Sequence, residues 1–353
     1  MKLGVFLPTG TQGFIITTTP PLIEPTYELN RDATLLAEEI GLDFAMSMMK
    51  HHGFGGPSRF WDEALDSLTL MAGLAGETTR IKIVATVPIL AVHPAVAARQ
   101  AVTINQISGG RFILNVITGW SQTEYAQYGM WPGDSHYRDR YEYATEYVQI
   151  MREFWSTGES SFKGKYFQMH DAQCLPMPPG GDIPIVCAGR SERGLRFTAE
   201  MGDWSFLNGN FDQFAEAKER LEAATAVTGR HVKTLPLMHL VMGASDAEAE
   251  ERFQSILDGA DLEAIERMRR DMGANVVPGG TGGTAQAALQ KDSLFVGTVP
   301  LVGSYETVAN KLRDLYDQGF TDGFMFQLVD YLQDLRDIGE HVMPRLGVEP
   351  AKA

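Results

Sequence analysis

Eight short apolar runs, each followed by a longer amphipathic stretch, constrain the fold of this 353-residue chain more than any other feature. Most of these runs are continuously apolar, as expected for parallel strands that are covered on both faces. Repeated strand–helix alternation predicts an α/β fold, and eight units predict a TIM (β/α)₈ barrel; an open doubly wound sheet is the alternative. The predicted strands are 2–8, 43–47, 81–87, 112–117, 183–188, 204–207, 237–242 and 323–328.

Local signals place several helix ends. Pro94 stands where the first turn of a helix over 95–107 would begin. Ser304 is a predicted N-cap for a helix over 305–318, with Gly319 as the residue after its end. Ser245 and Glu248 have the spacing of a capping box.

The chain is predicted to be a single domain, 1–353, because no linker divides it. Two segments have the length and composition of insertions, near 157–184 and 245–303. The second contains a run with four glycines, 278–284, which is consistent with a lid over a barrel mouth and equally with a mobile surface loop.

Charge and composition exclude several functions. A net charge of −15 argues against nucleic acid as a partner, and no apolar run is long enough to cross a bilayer. The first apolar run, 3–7, lacks the features of a signal peptide. Cys174 and Cys187 form neither a disulfide scaffold nor a zinc site, and neither the adjacent His51 and His52 nor His93 falls in an evident metal-ligand pattern. We therefore expect a cytoplasmic protein without a catalytic metal.

Two polar residues interrupt predicted strands. Thr86 ends the third strand, and Asn115 lies within the fourth. A polar side chain in such a strand needs a partner. The partner is either another group in the core or a ligand at the carboxyl ends of the strands, where barrel enzymes hold their active sites.

A glycine-rich turn, 189–194, follows the fifth strand and precedes a predicted helix. Its glycines let the backbone approach a ligand, and the helix N-terminus presents free N–H groups to an anion. Ser191 adds a hydroxyl, and Arg190 and Arg193 add positive charge. Viewed alone, the same turn also fits an ordinary capped helix with solvated arginines.

A second loop, 48–56, follows the second strand. In this loop, Lys50 is positioned to face an anion, and the backbone of Met49 and Lys50 is positioned to face a flat ring. The alternative is a glycine-rich turn with a solvated lysine. Aromatic residues accumulate around the same barrel mouth. Together they suit a flat, partly apolar ligand such as a flavin or a heterocycle. They are Phe54, Trp61, Trp120, Tyr125, Trp131 and Tyr141.

A series of motifs resembles the bacterial-luciferase-like flavin monooxygenases, and within them most of all the pyrimidine (uracil) monooxygenases. The resemblance extends over residues 1–200 and more weakly to the C-terminus. The combination is far more specific than any single motif. The matching stretches are MKLGVFLP, FAMSMMK followed by GFGG, LTLMAGLA, ISGGRF, NVITGW, WPGD, RYEYATEYVQ, FKGKYF, VCAGRS and LVGSY.

The resemblance implies a TIM barrel that binds reduced FMN, supplied by a separate NAD(P)H:flavin reductase, with O₂ as co-substrate. It assigns Thr86 and Asn115 to an oxygen pocket beside the flavin, as catalytic residues. The flavin contacts that it implies are Met49, Lys50, Asn115, Glu124, Arg140, Tyr141 and Ser191.

The reaction implied is oxygenation of a ring carbonyl by a flavin peroxide acting as nucleophile, which opens an N-heterocycle, uracil or a related pyrimidine. Two departures from the uracil enzymes concern the substrate: this chain has Val92-His93-Pro94 for Leu-Pro-Pro and His51-His52 for Leu-Arg. His93 is therefore either a substrate contact or a helix-start residue. Trp120 and Phe54 are further candidates for substrate contact. Another N-heterocycle, such as a pyridinium ring, is the nearest alternative substrate.

Other functions remain open at this point. They are a deazaflavin-dependent oxidoreductase of the same superfamily, a flavoprotein that only binds flavin, and a barrel hydrolase. Barrels of this type commonly associate through their helices, so we expect a homo-dimer or homo-tetramer.

Overall fold

The computed structural model describes residues 1–274, 294–298 and 300–348, and the glycine-rich run 278–284 lies outside them. Strands and helices alternate along the chain. The strands are β1 Lys2–Phe6, β2 Phe44–Met46, β3 Lys82–Pro88, β4 Phe112–Ile117, β5 Glu159–Ser160, β6 Ala172–Gln173, β7 Ile185–Ala188, β8 Trp204–Leu207, β9 Lys233–Gly243, β10 Leu301–Ser304 and β11 Gly323–Gln327.

Helices separate most of the barrel strands along the chain. They are α1 Tyr27–Glu39, α2 Ser67–Glu77, α3 Pro94–Ile107, α4 Gln122–Ala126, α5 Ser135–Thr157, α6 Glu192–Met201, α7 Phe211–Thr228, α8 Asp246–Asp258, α9 Leu262–Ala274, α10 Tyr305–Asp317, α11 Tyr331–Asp337 and α12 Met343–Leu346. No helix in the described part of the chain is long and apolar enough to cross a membrane.

Eight parallel strands close on themselves. The pairing runs β1–β2–β3–β4–β7–β8–β9–β11, and β11 pairs with β1 in parallel, with Gly4 beside Met325. The predicted (β/α)₈ barrel is confirmed. The alternative of an open sheet is excluded because the eight strands form a continuous ring of pairs. All eight predicted strands are present.

Three strand features differ from the sequence-based prediction. Strand β9 begins at Lys233 rather than at 237, since its first residues pair with β8. Strand β10 was missed because it has only four residues and ends at Ser304, the N-cap of a helix. It pairs in parallel with the later residues of β9. The predicted insertion 157–184 contains the short antiparallel pair β5–β6, which was also missed.

The helix signals hold at most of the predicted ends. Pro94 opens α3, and Ser304 accepts a hydrogen bond from the Thr307 N–H at the start of α10. Gly319 follows α10 with a φ of 74°. The capping box at α8 is half formed: Ser245 accepts from the Glu248 N–H, but the Glu248 carboxylate bonds to the N–H of Ala244.

The barrel strands bury both of their faces. Along β1, Val5 packs in the layer between the barrel and its helices, whereas Phe6 belongs to the cluster inside the barrel. On β3, Ile83 and Val84 divide in the same way. This two-sided burial is the physical reason why the strands are continuously apolar in sequence.

Candidate active site

One cavity lies among the carboxyl ends of the barrel strands. Because parallel strands all end at the same edge, polar residues that are distant in sequence meet there. Eight of the residues predicted for the site line it. They are Met49, Lys50, Thr86, Asn115, Trp120, Glu124, Arg140 and Tyr141.

Thr86 and Asn115 are neighbours across β3 and β4 and are both buried. Asn115 Nδ2 donates to Thr86 Oγ1 over 3.0 Å, and the Thr86 hydroxyl donates to the Ser47 carbonyl over 2.6 Å. The Thr86 N–H is held by Ser67 Oγ at 2.8 Å. Asn115 Oδ1 is buried without a partner among the described residues. The sequence left open whether these polar residues bond to another core group or face a ligand. In the structure they do both, since they bond to each other and also line the cavity.

Lys50 and Glu124 form a buried ion pair beside the cavity. Lys50 Nζ lies 2.9 Å from Glu124 Oε2, with both side chains at least nine-tenths buried, and Glu124 Oε1 accepts from the His51 N–H over 2.7 Å. The alternative of a solvated lysine is wrong. Three aromatic rings enclose the ammonium, at 5.1–5.6 Å from Nζ to the ring centroids, a cation–π arrangement. They are Phe54, Trp61 and Trp120.

The turn before α6 is packed closely against Tyr141. A Cβ added at Gly194 would lie 2.6 Å from the Tyr141 hydroxyl oxygen, and one at Gly189 would lie 2.9 Å from it. Ser191 is the N-cap of α6 and accepts from the Gly194 N–H over 3.1 Å, so its own hydroxyl hydrogen is left for another acceptor. Only glycine at 189 and 194 lets the tyrosine approach this helix N-terminus.

Arg140 lies beside Tyr141 at the cavity wall, and Arg190 belongs to the turn before α6. Arg140 lines the cavity with its guanidinium 5.1 Å from the Tyr141 ring centroid, and its Nε is buried without a partner. Arg190 Nη1 is also buried and unpartnered, and burial lowers the pKa of this guanidinium. Orphaned guanidinium nitrogens beside a helix N-terminus fit a phosphate group, which would supply the missing acceptors and charge.

The opposite half of the cavity was missed from sequence. It is walled by Phe6, Phe14 and Phe206, and its polar groups are Asn208 and Gln327. Asn208 directly follows β8, and Gln327 is the last residue of β11. The rule that selected Thr86, a polar residue at the end of an apolar strand, would have found both.

Three predicted site residues do not line the cavity. Ser191 lies behind Tyr141 at the α6 N-terminus, and Phe54 is buried behind Lys50. His93 is exposed at the N-cap of α3, where its Nδ1 accepts from the Ala95 N–H. Of the two roles proposed for His93, its position fits the helix-start role.

The aromatic residues divide between the cavity and its support. Trp61, Trp120, Tyr125 and Tyr141 line the cavity. Trp131 packs instead on His136, whose Nε2 bonds to the Thr118 carbonyl over 2.8 Å and so steadies the loop after β4. Among the described residues, no group of three His, Cys, Asp or Glu side chains is arranged to hold a metal.

Comparison with known proteins gives the family. The model of the luciferase-like monooxygenases matches residues 1–322. The chain belongs to the luciferase-like monooxygenase family. It is thus an enzyme of the monooxygenase class, as the resemblance implied.

Curated members of this family are similar over almost the whole length. The chain is 43% identical over 348 residues to the pyrimidine monooxygenase RutA of Acinetobacter baylyi, covering 98% of this chain and 94% of that protein. It is 42% identical to the pyrimidine monooxygenase RutA of Caulobacter vibrioides, covering 98% of both. Among solved structures, a riboflavin lyase with modified FMN and riboflavin has a TM-score of 0.83 at 23% identity, covering 98% of this chain and 91% of that one.

Proposed function

We propose that this enzyme is a two-component FMN-dependent monooxygenase that uses reduced FMN and O₂ to oxygenate and open an N-heterocycle, uracil or a related pyrimidine. The observation that carries the proposal is the Thr86–Asn115 pair, with an unpartnered amide oxygen at the wall of a cavity rich in aromatic residues. Support for a pyrimidine comes from relatives named pyrimidine monooxygenases at 41–43% identity.

The phosphate of FMN would be held between Arg140 at the cavity wall and the turn before α6, which carries Arg190 and Ser191. The unpartnered guanidinium nitrogens and the free Ser191 hydroxyl hydrogen are the donors for it. The ring would lie along the loop that carries Met49 and Lys50, within reach of Asn115. When bound in its reduced form, FMN supplies the electrons that O₂ activation requires.

The residues of the chain prepare this cavity for oxygen chemistry. The Thr86 hydroxyl hydrogen is held by the Ser47 carbonyl, so its oxygen is an acceptor toward Asn115. The Asn115 amide thereby holds a fixed orientation at the reacting end of the cavity. The rings of Trp61, Trp120 and Phe206 line the cavity and would limit the access of bulk water to the reaction.

The buried Lys50–Glu124 ion pair forms part of the cavity wall and contributes no net charge to it. Its two charges neutralise each other in a buried site, and the three rings around Lys50 replace the rest of its hydration. A neutral wall of this kind suits an uncharged heterocycle better than a pyridinium cation.

The two sequence departures that pointed to another heterocycle lie away from the cavity lining. His93 caps α3, and His51 contributes a backbone N–H to Glu124 while its ring packs near Tyr128. A pyrimidine is therefore the leading substrate, with another N-heterocycle as the alternative. We further propose a separate NAD(P)H:flavin reductase as partner and a homo-dimer or homo-tetramer as the assembly.

An isotope experiment tests the proposal. The protein is incubated with FMN, NADH, a generic flavin reductase and ¹⁸O₂, together with uracil or other N-heterocycles, and products are identified by mass spectrometry. The expected result is a ring-opened uracil product carrying one ¹⁸O. Label in another heterocycle alone would overturn the pyrimidine assignment. Sound FMN binding with no labelled product would refute the oxygenase, and replacing FMN with a deazaflavin would then test hydride transfer.

A further inference from the structure

Gln327 is a buried primary amide without a partner. Its side chain lines the cavity at the end of β11, and the residue is 1% exposed. Neither Nε2 nor Oε1 has a hydrogen-bond partner among the described residues. Buried polar groups in folded proteins are nearly always paired, so an amide with both atoms free in a cavity wall is built to receive a ligand.

Gln327 faces Asn115 across the barrel. In the closed strand order, β4 and β11 are four strands apart in either direction. The residues that would contact FMN lie on or after strands β2, β4 and β7, and not on β11 or on its neighbours β1 and β9. Gln327 thus belongs to the part of the cavity that remains for a substrate beside the cofactor.

The surroundings of Gln327 are flat and apolar. The Phe6 ring lies 4.4 Å from that of Phe14 and 5.6 Å from that of Phe206, centroid to centroid, and all three line the cavity. His239 stands beside Gln327 in the β9–β11 register, but its Nε2 lies toward the Val296 carbonyl at 3.3 Å. Aromatic walls with one amide at the edge suit a planar ring that has a polar rim.

We propose that Gln327 determines substrate specificity by pairing with the N–H/C=O edge of a cyclic amide or imide. Its C=O accepts from the ring N–H, and its NH₂ donates to the adjacent ring carbonyl, forming two parallel hydrogen bonds. Asn208, whose Oδ1 is also buried and unpartnered in the cavity wall, is placed to accept from a second ring N–H. The inference rests on the proposed function and names the chemical edge that the enzyme selects.

The variant Gln327→Met tests the pairing, because it keeps the length of the side chain and removes both hydrogen-bonding atoms. We expect the KM for uracil to rise about 10- to 100-fold, as for loss of one or two buried hydrogen bonds, with kcat changed much less. FMN affinity, measured by fluorescence quenching, should stay within about twofold of the wild type. Gln333→Met, the same change at an exposed position on α11, is the control.

Binding is measured separately from turnover. Calorimetric titration of the FMN-loaded protein with uracil, 1-methyluracil, 3-methyluracil and 1-methylpyridinium shows which ring edge is read. We expect the wild type to bind uracil about tenfold or more tightly than the uracil methylated at the recognised N–H. In the wild type, methylation of the ring N–H leaves the Gln327 side-chain carbonyl without a donor. Gln327→Met has no such carbonyl, so it should bind uracil and the methylated uracil with similar affinity.

The outcomes separate this inference from the proposed function. An unchanged uracil KM in Gln327→Met, or a loss of FMN affinity equal to the loss of uracil affinity, would overturn the role of Gln327 while leaving the oxygenase intact. Uracil binding that depends on Gln327, without any ¹⁸O product, would support the inference and refute the oxygenase. If the wild type neither binds nor converts any cyclic amide, the role of Gln327 and the pyrimidine assignment are both refuted.

Discussion

Asn115 Nδ2 lies 3.0 Å from Thr86 Oγ1, and the two residues are in register on adjacent parallel strands. Since the single hydrogen of the Thr86 hydroxyl goes to the Ser47 carbonyl, its oxygen can only accept. Asn115 must therefore turn its NH₂ group toward Thr86. The orientation of the Asn115 amide therefore depends on the Thr86 hydroxyl and on the Ser47 carbonyl, which lies outside the cavity lining.

Thr86→Val and Asn115→Ala test the catalytic role of this pair. Valine keeps the shape of threonine and removes the acceptor, and alanine removes the amide altogether. We expect kcat to fall by about 100-fold or more in each variant, as for the loss of one oriented polar group, with FMN affinity retained. Product formation is measured by mass spectrometry and FMN binding by fluorescence. Thr103→Val, on the exposed face of α3, is the control, and unchanged turnover in both site variants would remove these roles.

Lys50 and Glu124 offer a test of the buried ion pair. Lys50→Met leaves the Glu124 carboxylate buried without its cation, and we expect a loss of about 3–5 kcal/mol in the free energy of unfolding. The double variant Lys50→Met, Glu124→Gln removes both charges and should recover much of that loss. Urea denaturation of the proteins without cofactor gives the values. Equal destabilisation in the single and double variants would show that the carboxylate is not what makes the single variant unstable.

Much of the fold was predictable because covered parallel strands leave a strong signal. Runs such as 112–117 are apolar on both faces, and Pro94 and Ser304 mark helix starts with side-chain chemistry that acts locally. The count of eight units favoured closure of the barrel, but these local signals left an open sheet as the alternative. Closure depends on β11 pairing with β1, and these strands are more than 300 residues apart in sequence.

The half of the site around Thr86 and Asn115 was predicted from the sequence, whereas the half around Gln327 was not. Asn115 and Lys50 stand in motifs that resemble a known family, and the resemblance assigns Thr86 as well, whereas it assigns neither Gln327 nor Asn208. The strand-end rule covers Thr86, Gln327 and Asn208 but selects many other residues as well. What distinguishes Gln327 is the lack of any partner for its amide, and only the assembled barrel reveals that property.

Gly194→Ala tests the close approach of Tyr141 to the N-terminus of α6. The added methyl group would meet the Tyr141 hydroxyl at 2.6 Å, so the ring must move away from the proposed phosphate site. We expect FMN affinity to fall at least about tenfold while the protein remains folded, a loss typical of one or two charge-assisted contacts. Fluorescence titration measures the affinity.

Two further variants control the Gly194 experiment. Gly76→Ala adds the same methyl group within α2, where the nearest atom is 3.8 Å away, and should leave FMN affinity unchanged. Tyr141→Phe in the Gly194→Ala background removes the clashing oxygen and should restore part of the affinity. No loss in Gly194→Ala would show that Tyr141 can shift without consequence.

His239 makes the stability of the protein depend on pH. Burial lowers the pKa of its imidazole to about 3, against a partial opposing effect of the Val296 carbonyl. Between this value and about 6.5, the unfolded chain binds a proton that the folded protein does not. Stability must therefore fall as the pH is lowered through this window, by about 1.4 kcal/mol per pH unit from this residue.

The variant His239→Leu removes the buried imidazole and should flatten that dependence. Between pH 7 and pH 5, we expect the wild type to lose about 2 kcal/mol more of its free energy of unfolding than the variant does. Urea denaturation at the two pH values gives the comparison. His231→Leu removes an exposed imidazole and retains His239, so it should keep the wild-type pH dependence. If His239→Leu and the wild type lost the same free energy on acidification, the imidazole would have to gain its proton without unfolding, through a partner or an opening of the barrel around β9.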